Sequence, residues 1–385
     1  MRFLHTADWH VGKGLRGRSR MDEHEKALRE VFEIAVREKI DCVLVAGDIF
    51  DTQAPPAEAE RLVYSLLADL AGHRIPAVLI GGNHDHPRRL EALRPLLDRM
   101  SIHMRPTVRA PGDGGVIELT VRGEQALIAV MPWIPEHKWL DASLLMGAHA
   151  ERSSAYAEGV ASIVEALSAA FTAATVNVLL GHLFVQGGEA TGSEREAHLT
   201  KPYALSARRF PDSASYIALG HLHRPQEIAG PSPACYSGSL LQLDFGEHGQ
   251  DKRVVIADAQ AGKTARIESV RLAAGRRLRY VSGTLAEIEK RASEWNNGDF
   301  LHVTARLPRP KPGVAEEVRT MLPDAVDVRV ELPELPSTQP GPPPSDPLAM
   351  FQRFFEDREG GEPSPELMQA FRRLHEEAAD ASIEA

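Results

Sequence analysis

Cysteine is nearly absent: the chain of 385 residues has two, Cys42 and Cys235. Two cysteines cannot staple a chain of this length, which excludes a disulfide scaffold and points to a reducing compartment, the cytoplasm. Long apolar runs are missing too. No stretch reaches the roughly 18 apolar residues that a membrane span needs. A strand pattern begins at Arg2, so no signal peptide is expected at this N-terminus. Surplus positive charge is the third absence. Lys and Arg total 44 against 54 Asp and Glu, a formal net charge of −10. Phosphate contact needs clustered Lys and Arg, so a free-standing nucleic-acid binder is disfavoured. A nucleic-acid role must rest on a local basic patch, bound metal or a partner protein.

Hydrophobic residues at 43% and charged residues at 25% suit an ordinary globular protein. At roughly 150 residues per domain the length suggests two or three domains. The most informative stretch is Gly81-Gly82-Asn83-His84-Asp85, which follows the apolar run Ala77–Ile80. Apolar runs ending in Asp, Asn or His recur. Residues 2–6 lead into Asp8-Trp9-His10, and 42–46 into Gly47-Asp48-Ile49-Phe50-Asp51. Residues 176–180 lead into Gly181-His182, and 216–219 into Gly220-His221-Leu222-His223. In α/β folds, ligands bind outside the carboxyl ends of parallel strands. One polar turn after a strand is unremarkable, but five with the same residue types point to one site.

Between the first three strands the spacing predicts two helices. One runs from an Asp22/Glu25 capping box to about Lys39, the other from about Pro56 to Ala71. This β-α-β-α-β alternation implies a parallel sheet with right-handed crossovers. Pro87 opens a further helix. A hairpin is expected over 115–131, irregular chain over 133–147, a long helix over 153–173 and a mobile loop over 186–200. Closing strands are expected at 234–236 and 253–257, with 237–239 between them. A small β-α-β-α-β unit follows residue 270. A proline-rich linker then leads to two amphipathic helices, one with Leu348, Met350, Phe351, Phe354 and Phe355, the other with Leu367, Met368, Phe371 and Leu374. Two such helices cannot bury that many apolar side chains on each other alone, so docking onto a partner helix is expected.

Asp8, His10, Asp48, Asn83, His182, His221 and His223 offer seven oxygen and nitrogen ligands from five strand ends, with no thiolate. A structural zinc site takes four ligands, usually including cysteine. Seven suit two ions, and two metals about 3.5–4 Å apart clamp the oxygens of an in-line displacement at phosphorus. Asp48, on the strand expected between the other two N-terminal strands, is the candidate bridge. His221 and His223 alternate along an extended strand end and so point the same way. His84 is surplus to the ligand count and is assigned to the leaving oxygen. A carboxylate from Asp51 or Asp85 would orient it. The basic loop of Lys13, Arg16, Arg18 and Arg20 emerges beside Asp8 and His10, and contact with substrate phosphate is expected there. His5 and His103 are expected to be core or turn residues.

These five motifs resemble those of calcineurin-like metallophosphoesterases in order and residue type over about the first 260 residues. Within that superfamily, Leu4–Lys13 and the tail around Asp346-Pro347 and Phe351–Phe355 are similar to the SbcD family. The resemblance implies an α/β fold: a layered β-sheet sandwich flanked by helices over 1–268, a small α+β DNA-capping domain over 269–333, a linker over 334–346 and a helical tail over 347–385. It implies a DNA nuclease subunit using two divalent metals, with Mn²⁺ the expected ion. The tail would bind SbcC, a coiled-coil ATPase, and a homodimer within a heterotetramer is expected. The expected activities are ATP-dependent exonuclease action on duplex ends and endonuclease action on single strands and hairpins, serving DNA repair, recombination and replication. Related phosphatases make Asp51 the first choice to pair with His84. They follow that carboxylate with an arginine, whereas this chain has Thr52-Gln53, which counts against a phosphoprotein phosphatase. The competing readings are a phosphodiesterase or phosphatase of small molecules on the same site, and a non-catalytic scaffold.

Overall fold

The computed structural model describes residues 1–135, 156–194, 204–333 and 346–381. The described chain forms two compact units, Met1–Glu331 and Leu332–Ala385. The parts of the expected loop, long helix and linker that fall at 136–155, 195–203 and 334–345 lie outside the described residues.

The first unit is built on two six-stranded sheets. Strands β1 (Arg2–Thr6), β2 (Cys42–Val45), β3 (Ala77–Ile80) and β4 (Ile102–Arg105) run parallel and in that spatial order. β11 (Arg253–Asp258) and β12 (Arg266–Arg271) extend the sheet antiparallel beyond β1. The second sheet has the order β5 (Val116–Val121), β6 (Glu124–Met131), β7 (Val176–His182), β8 (Tyr216–Gly220), β10 (Ala234–Tyr236), β9 (Gln226–Ile228). Strands β6, β7, β8 and β10 run parallel to one another, while the edge strands β5 and β9 run antiparallel to β6 and β10.

Alternation along the strands makes this a sandwich. Side chains two apart share a face. In β2, Cys42 and Leu44 enter a core with Val78, Ile128 and Val178 between the sheets. Val43 and Val45 face the helices instead. Helix α1 (Met21–Arg37) buries Ala27, Leu28, Val31, Ile34 and Ala35, a helical stripe, on that outer face. Helices α2 (Ala57–Gly72) and α3 (Pro87–Leu97) cover the same face. Helix α4 (Tyr156–Ser168) covers the outside of the second sheet. Both cysteines are buried, and burial pushes the Cys235 thiol up to about 11 and Cys42 higher still.

Several local expectations change. Asp22 does not cap α1, whose N-cap is Arg20; the Arg20 guanidinium pairs instead with Glu23 in the first turn. The stretch 237–239 is not a strand, and the two closing strands part company, β10 to the second sheet and β11 to the first. Strands β4, β9 and β12 went unforeseen, being short or polar.

A third sheet of three parallel strands, β13 (Leu278–Gly283), β14 (Phe300–Arg306) and β15 (Ala325–Glu331), carries α5 (Leu285–Trp295) and α6 (Val314–Met321). Thr284 and Glu287 close a capping box that starts α5. Ile288, Trp295, Val303 and Val318 form this sheet's own small core. The tail unit contains α7 (Pro347–Glu359), capped by Asp346, and α8 (Pro365–Ala381), which starts at Ser364. Phe351 and Phe371 stack between them with ring centroids 4.1 Å apart, leaving Met350, Phe354 and Leu374 exposed.

Candidate metal centre

The carboxyl ends of β1, β2 and β3 from one sheet meet those of β7 and β8 from the other. Backbone hydrogen bonds tie the loops into one rim: Asp8 N–H donates to Gly47 O and His10 N–H to Asp48 O, both at 3.0 Å. The chain must turn sharply there. Asp8, His10, Asp48 and His221 all have positive φ, a strained backbone that accumulates at functional sites. Close approach also demands glycine. A Cβ at Gly82 would overlap the Asp48 carboxylate, and one at Gly220 would overlap the Ala46 carbonyl.

Donor atoms of the seven residues expected to hold metal converge on this rim. Asp8, His10 and His223 bring ligand atoms within 4.8 Å of one another, as do Asp8, Asp48 and His182. A third group joins His10, Asp48 and His84. Asp48 Oδ2 lies 3.6 Å from His10 Nε2 on one side and 3.6 Å from His182 Nε2 on the other. It therefore stands between the two clusters, and β2 is central as expected. Asn83 Oδ1 faces His182 Nε2 at 3.1 Å and His221 Nδ1 at 3.0 Å. Trp133, just beyond β6, stacks on the His221 ring with centroids 5.2 Å apart.

This donor set fits divalent cations. His182 Nδ1 donates to Ala46 O at 2.7 Å, so the Nε2 lone pair turns inward. His223 Nδ1 faces Ser193 Oγ at 2.7 Å and the Glu247 carboxylate at 3.2 Å, again directing Nε2 inward. Outer partners that fix the tautomer in this way are typical of metal-ligating histidines. His10 Nε2 and His223 Nε2 lie only 3.1 Å apart, both aimed at the same point. Burial pushes His10 down to about 4 and lowers His182, favouring neutral rings able to ligate. Burial, then the charge of Asp48, drives Asp8 well above the carboxylate range. Burial opposes ionisation of Asp48 as well, but His182, His10 and His84 outweigh it and hold that carboxyl low. Two buried carboxylates at one point call for positive charge between them.

His84 is half-buried at the edge of the site, its ring 4.6 Å from that of His10. Its expected partner changes in kind. His84 Nδ1 donates to the main-chain carbonyl of Asp51 at 2.8 Å, not to a side-chain carboxylate. The Asp51 carboxylate turns to His10 Nδ1 at 3.3 Å and Lys13 Nζ at 3.0 Å. Asp85 is committed elsewhere. It accepts the backbone amides of Ile49, Phe50 and Gly82 and so locks the second motif to the third. Burial, then Asp48, pushes Asp85 up to about 7.

The basic loop divides. Lys13 stays at the rim through Asp51. Arg16 reaches Asp244 and Asp327 at 3.6 and 3.7 Å, and Arg18 donates to Pro323 O at 2.7 Å, so both reach towards the small sheet. Arg20 is buried against Glu23 and Gln242. Glu247, Lys252, Ser193 and Trp133 escaped the sequence reading. Trp133 follows a strand end as the motif residues do, which is a usable signal; the others carry none.

A family model for calcineurin-like phosphoesterases matches residues 1–225. The chain belongs to that family. It is 38% identical over 284 residues to SbcD, a component of the nuclease SbcCD, from Bacillus subtilis, covering 72% of this chain and 71% of that protein. Against the protein of the same name from Rhodobacter capsulatus it is 36% identical, over 69% of this chain and 68% of that one. The Escherichia coli K12 protein is 29% identical, over 77% and 74%. These similarities place the chain with the SbcD members of the family, which uses divalent metals. Among the described residues no helix is long and apolar enough to cross a membrane.

Proposed function

We propose that this chain is the nuclease component of a two-protein DNA-processing enzyme, a metal-dependent phosphodiester hydrolase acting with an SbcC-like coiled-coil ATPase in the cytoplasm. The observation that carries this reading is the convergence of seven oxygen and nitrogen donors from five strand ends, with His84 beside them. Asp8, His10 and His223 would hold one Mn²⁺. Asn83, His182 and His221 would hold a second, with Asp48 shared. When bound, such a pair supplies positive charge to phosphoryl oxygens and lowers the pKa of water.

The chain's own groups supply the rest. Hydrolysis adds water across a P–O bond, and one proton must reach the departing oxygen. A carbonyl can only accept, so the Asp51 carbonyl keeps a proton on His84 Nδ1. Nε2 is then the atom that gains or gives up the mobile proton, and it can deliver it to the leaving oxygen. Lys13 would contact a phosphate beside the site; Arg16 and Arg18 would do the same by exchanging Asp244, Asp327 and the Pro323 carbonyl for phosphate oxygens.

Residues 1–268 would form the nuclease domain, 269–333 a domain that caps DNA, 334–346 a linker and 347–385 the partner-binding tail. The exposed Met350, Phe354 and Leu374 suit a tail that docks on a coiled coil. The expected activities are ATP-dependent exonuclease cutting of duplex ends and endonuclease cutting of single strands and hairpins, by a homodimer within a heterotetramer.

The test is a labelled hairpin DNA incubated with Mn²⁺, with and without the ATPase partner and ATP, beside Asp48→Ala. Cleavage that needs Mn²⁺ and Asp48 and rises with partner and ATP is expected. A folded, metal-loaded protein that cuts a chromogenic phosphodiester but no DNA in any lane would replace this reading with a small-molecule phosphodiesterase.

A further inference from the structure

Glu247 belongs to none of the five motifs, yet its carboxylate is fully buried directly behind the site. Oε1 lies 3.2 Å from His223 Nδ1 and accepts from Ser193 Oγ, which itself lies 2.7 Å from that nitrogen. Oε2 accepts from Lys252 Nζ at 2.6 Å, Ser239 Oγ at 3.2 Å and Leu243 N–H at 3.1 Å. A carboxylate with this many partners has no rotational freedom left. Directly and through Ser193, it fixes the His223 ring so that Nε2 meets His10 Nε2 at 3.1 Å.

Two residues earlier in the chain, Phe245 leaves the phosphoesterase sheets. It packs with Leu15 against Leu278 and Phe300 of the small sheet. Leu15 itself lies five residues after His10. The small sheet thus grips both segments that set one donor cluster: the segment carrying Glu247, behind His223, and the loop leaving His10. Leu278 N–H adds a hydrogen bond to Gln242 Oε1 at 2.7 Å in the same segment. The other cluster is supported differently. His182 leans on Ala46 O, inside the sandwich.

We infer that Glu247 is a positioning residue for His223, and that the small sheet, through Phe245, sets the metal affinity of the Asp8–His10–His223 position alone. This rests on the two-metal reading given above. An outer-sphere carboxylate of this kind is worth about 10–100-fold in metal affinity.

The experiment is a calorimetric Mn²⁺ titration of the metal-free full chain, paired with electron paramagnetic resonance of the loaded protein. The variants are Glu247→Gln, Phe245→Leu and the double variant Glu247→Gln with Lys252→Met. The double variant avoids leaving a buried ammonium unpaired, so it keeps the test open should the single variant fail to fold. The wild type should take two equivalents and give the spectrum of a coupled pair. Each variant should keep one equivalent at unchanged affinity, weaken the other about 10–100-fold, and give the spectrum of an isolated ion at intermediate loading. Glu247→Asp should recover part of the lost affinity. Two equivalents bound by the variants as tightly as by the wild type, or both weakened alike, would overturn the inference. A wild type that takes fewer than two equivalents would instead overturn the two-metal reading, and the inference with it.

Discussion

Asp48 holds the backbone of His84: Oδ1 accepts the His84 amide at 2.8 Å while Oδ2 faces His10 and His182. One carboxylate therefore fixes the position of His84, the residue proposed to deliver the proton, and stands between both donor clusters. Asp48→Asn keeps an oxygen for the amide but loses the charge. Mn²⁺ titration should show both positions weakened, by more than the roughly 100-fold upper range for an outer-sphere partner, and hairpin cleavage should vanish.

His84→Gln should separate binding from turnover. The side chain is absent from the seven-donor set, so Mn²⁺ uptake should stay near wild type. Cleavage should fall by about 10²–10⁴, the usual worth of a positioned proton donor. Unchanged cleavage would remove the role assigned to this ring.

Asp85→Ala tests a structural carboxylate. Its oxygens satisfy three amides, the buried ones of Ile49 and Phe50 and the half-buried one of Gly82. Each amide left unpaired costs about 1–3 kcal/mol. The thermal midpoint should drop, and Mn²⁺ affinity should fall with it because the second and third motifs lose their tie. A variant as stable as the wild type would show the three bonds to be dispensable.

His5 makes a pH prediction. It lies between the sheets, with Nδ1 on Tyr216 Oη at 2.8 Å and Nε2 on Leu219 O at 3.1 Å. Burial pushes it down to about 3 from 6.5. The folded chain keeps this ring neutral where the unfolded chain protonates it. Its contribution to stability is complete above pH 6.5 and is lost as pH falls towards 3. The slope is up to about 1.4 kcal/mol per pH unit for one proton. His5→Gln should flatten the acid limb of a denaturation-midpoint profile by about one proton. An unchanged slope would mean that the ring is not neutral in the fold.

Much of the site was legible because its residues are local in sequence. Asp8 and His10, Asp48 and Asp51, and Asn83, His84 and Asp85 each stand at the end of a recognisable apolar run, and the parallel-strand rule brings such ends together. The wrong partner for His84 came from reading side chains alone. A main-chain carbonyl has no letter in the sequence, so the Asp51 oxygen that accepts His84 Nδ1 could not be told from its carboxylate. Glu247 was illegible for a different reason. It follows no strand, and only the return of the chain from β10 to β11 places it behind His223. Strand β12, Arg266–Arg271, reads as charged surface because its burial is slight; the antiparallel ladder to β11 defines it.

The two cysteines carry a practical consequence. Cys42 and Cys235 are both shut inside the sandwich with their thiols held protonated, so the folded surface has no group for a maleimide to attack. A single cysteine placed at exposed Tyr280 on the small sheet, and another at exposed Met350 on the tail, would each be labelled alone. The native chain is thus its own cysteine-light background, ready to carry a pair of spin labels or dyes that act as a molecular ruler during a catalytic cycle.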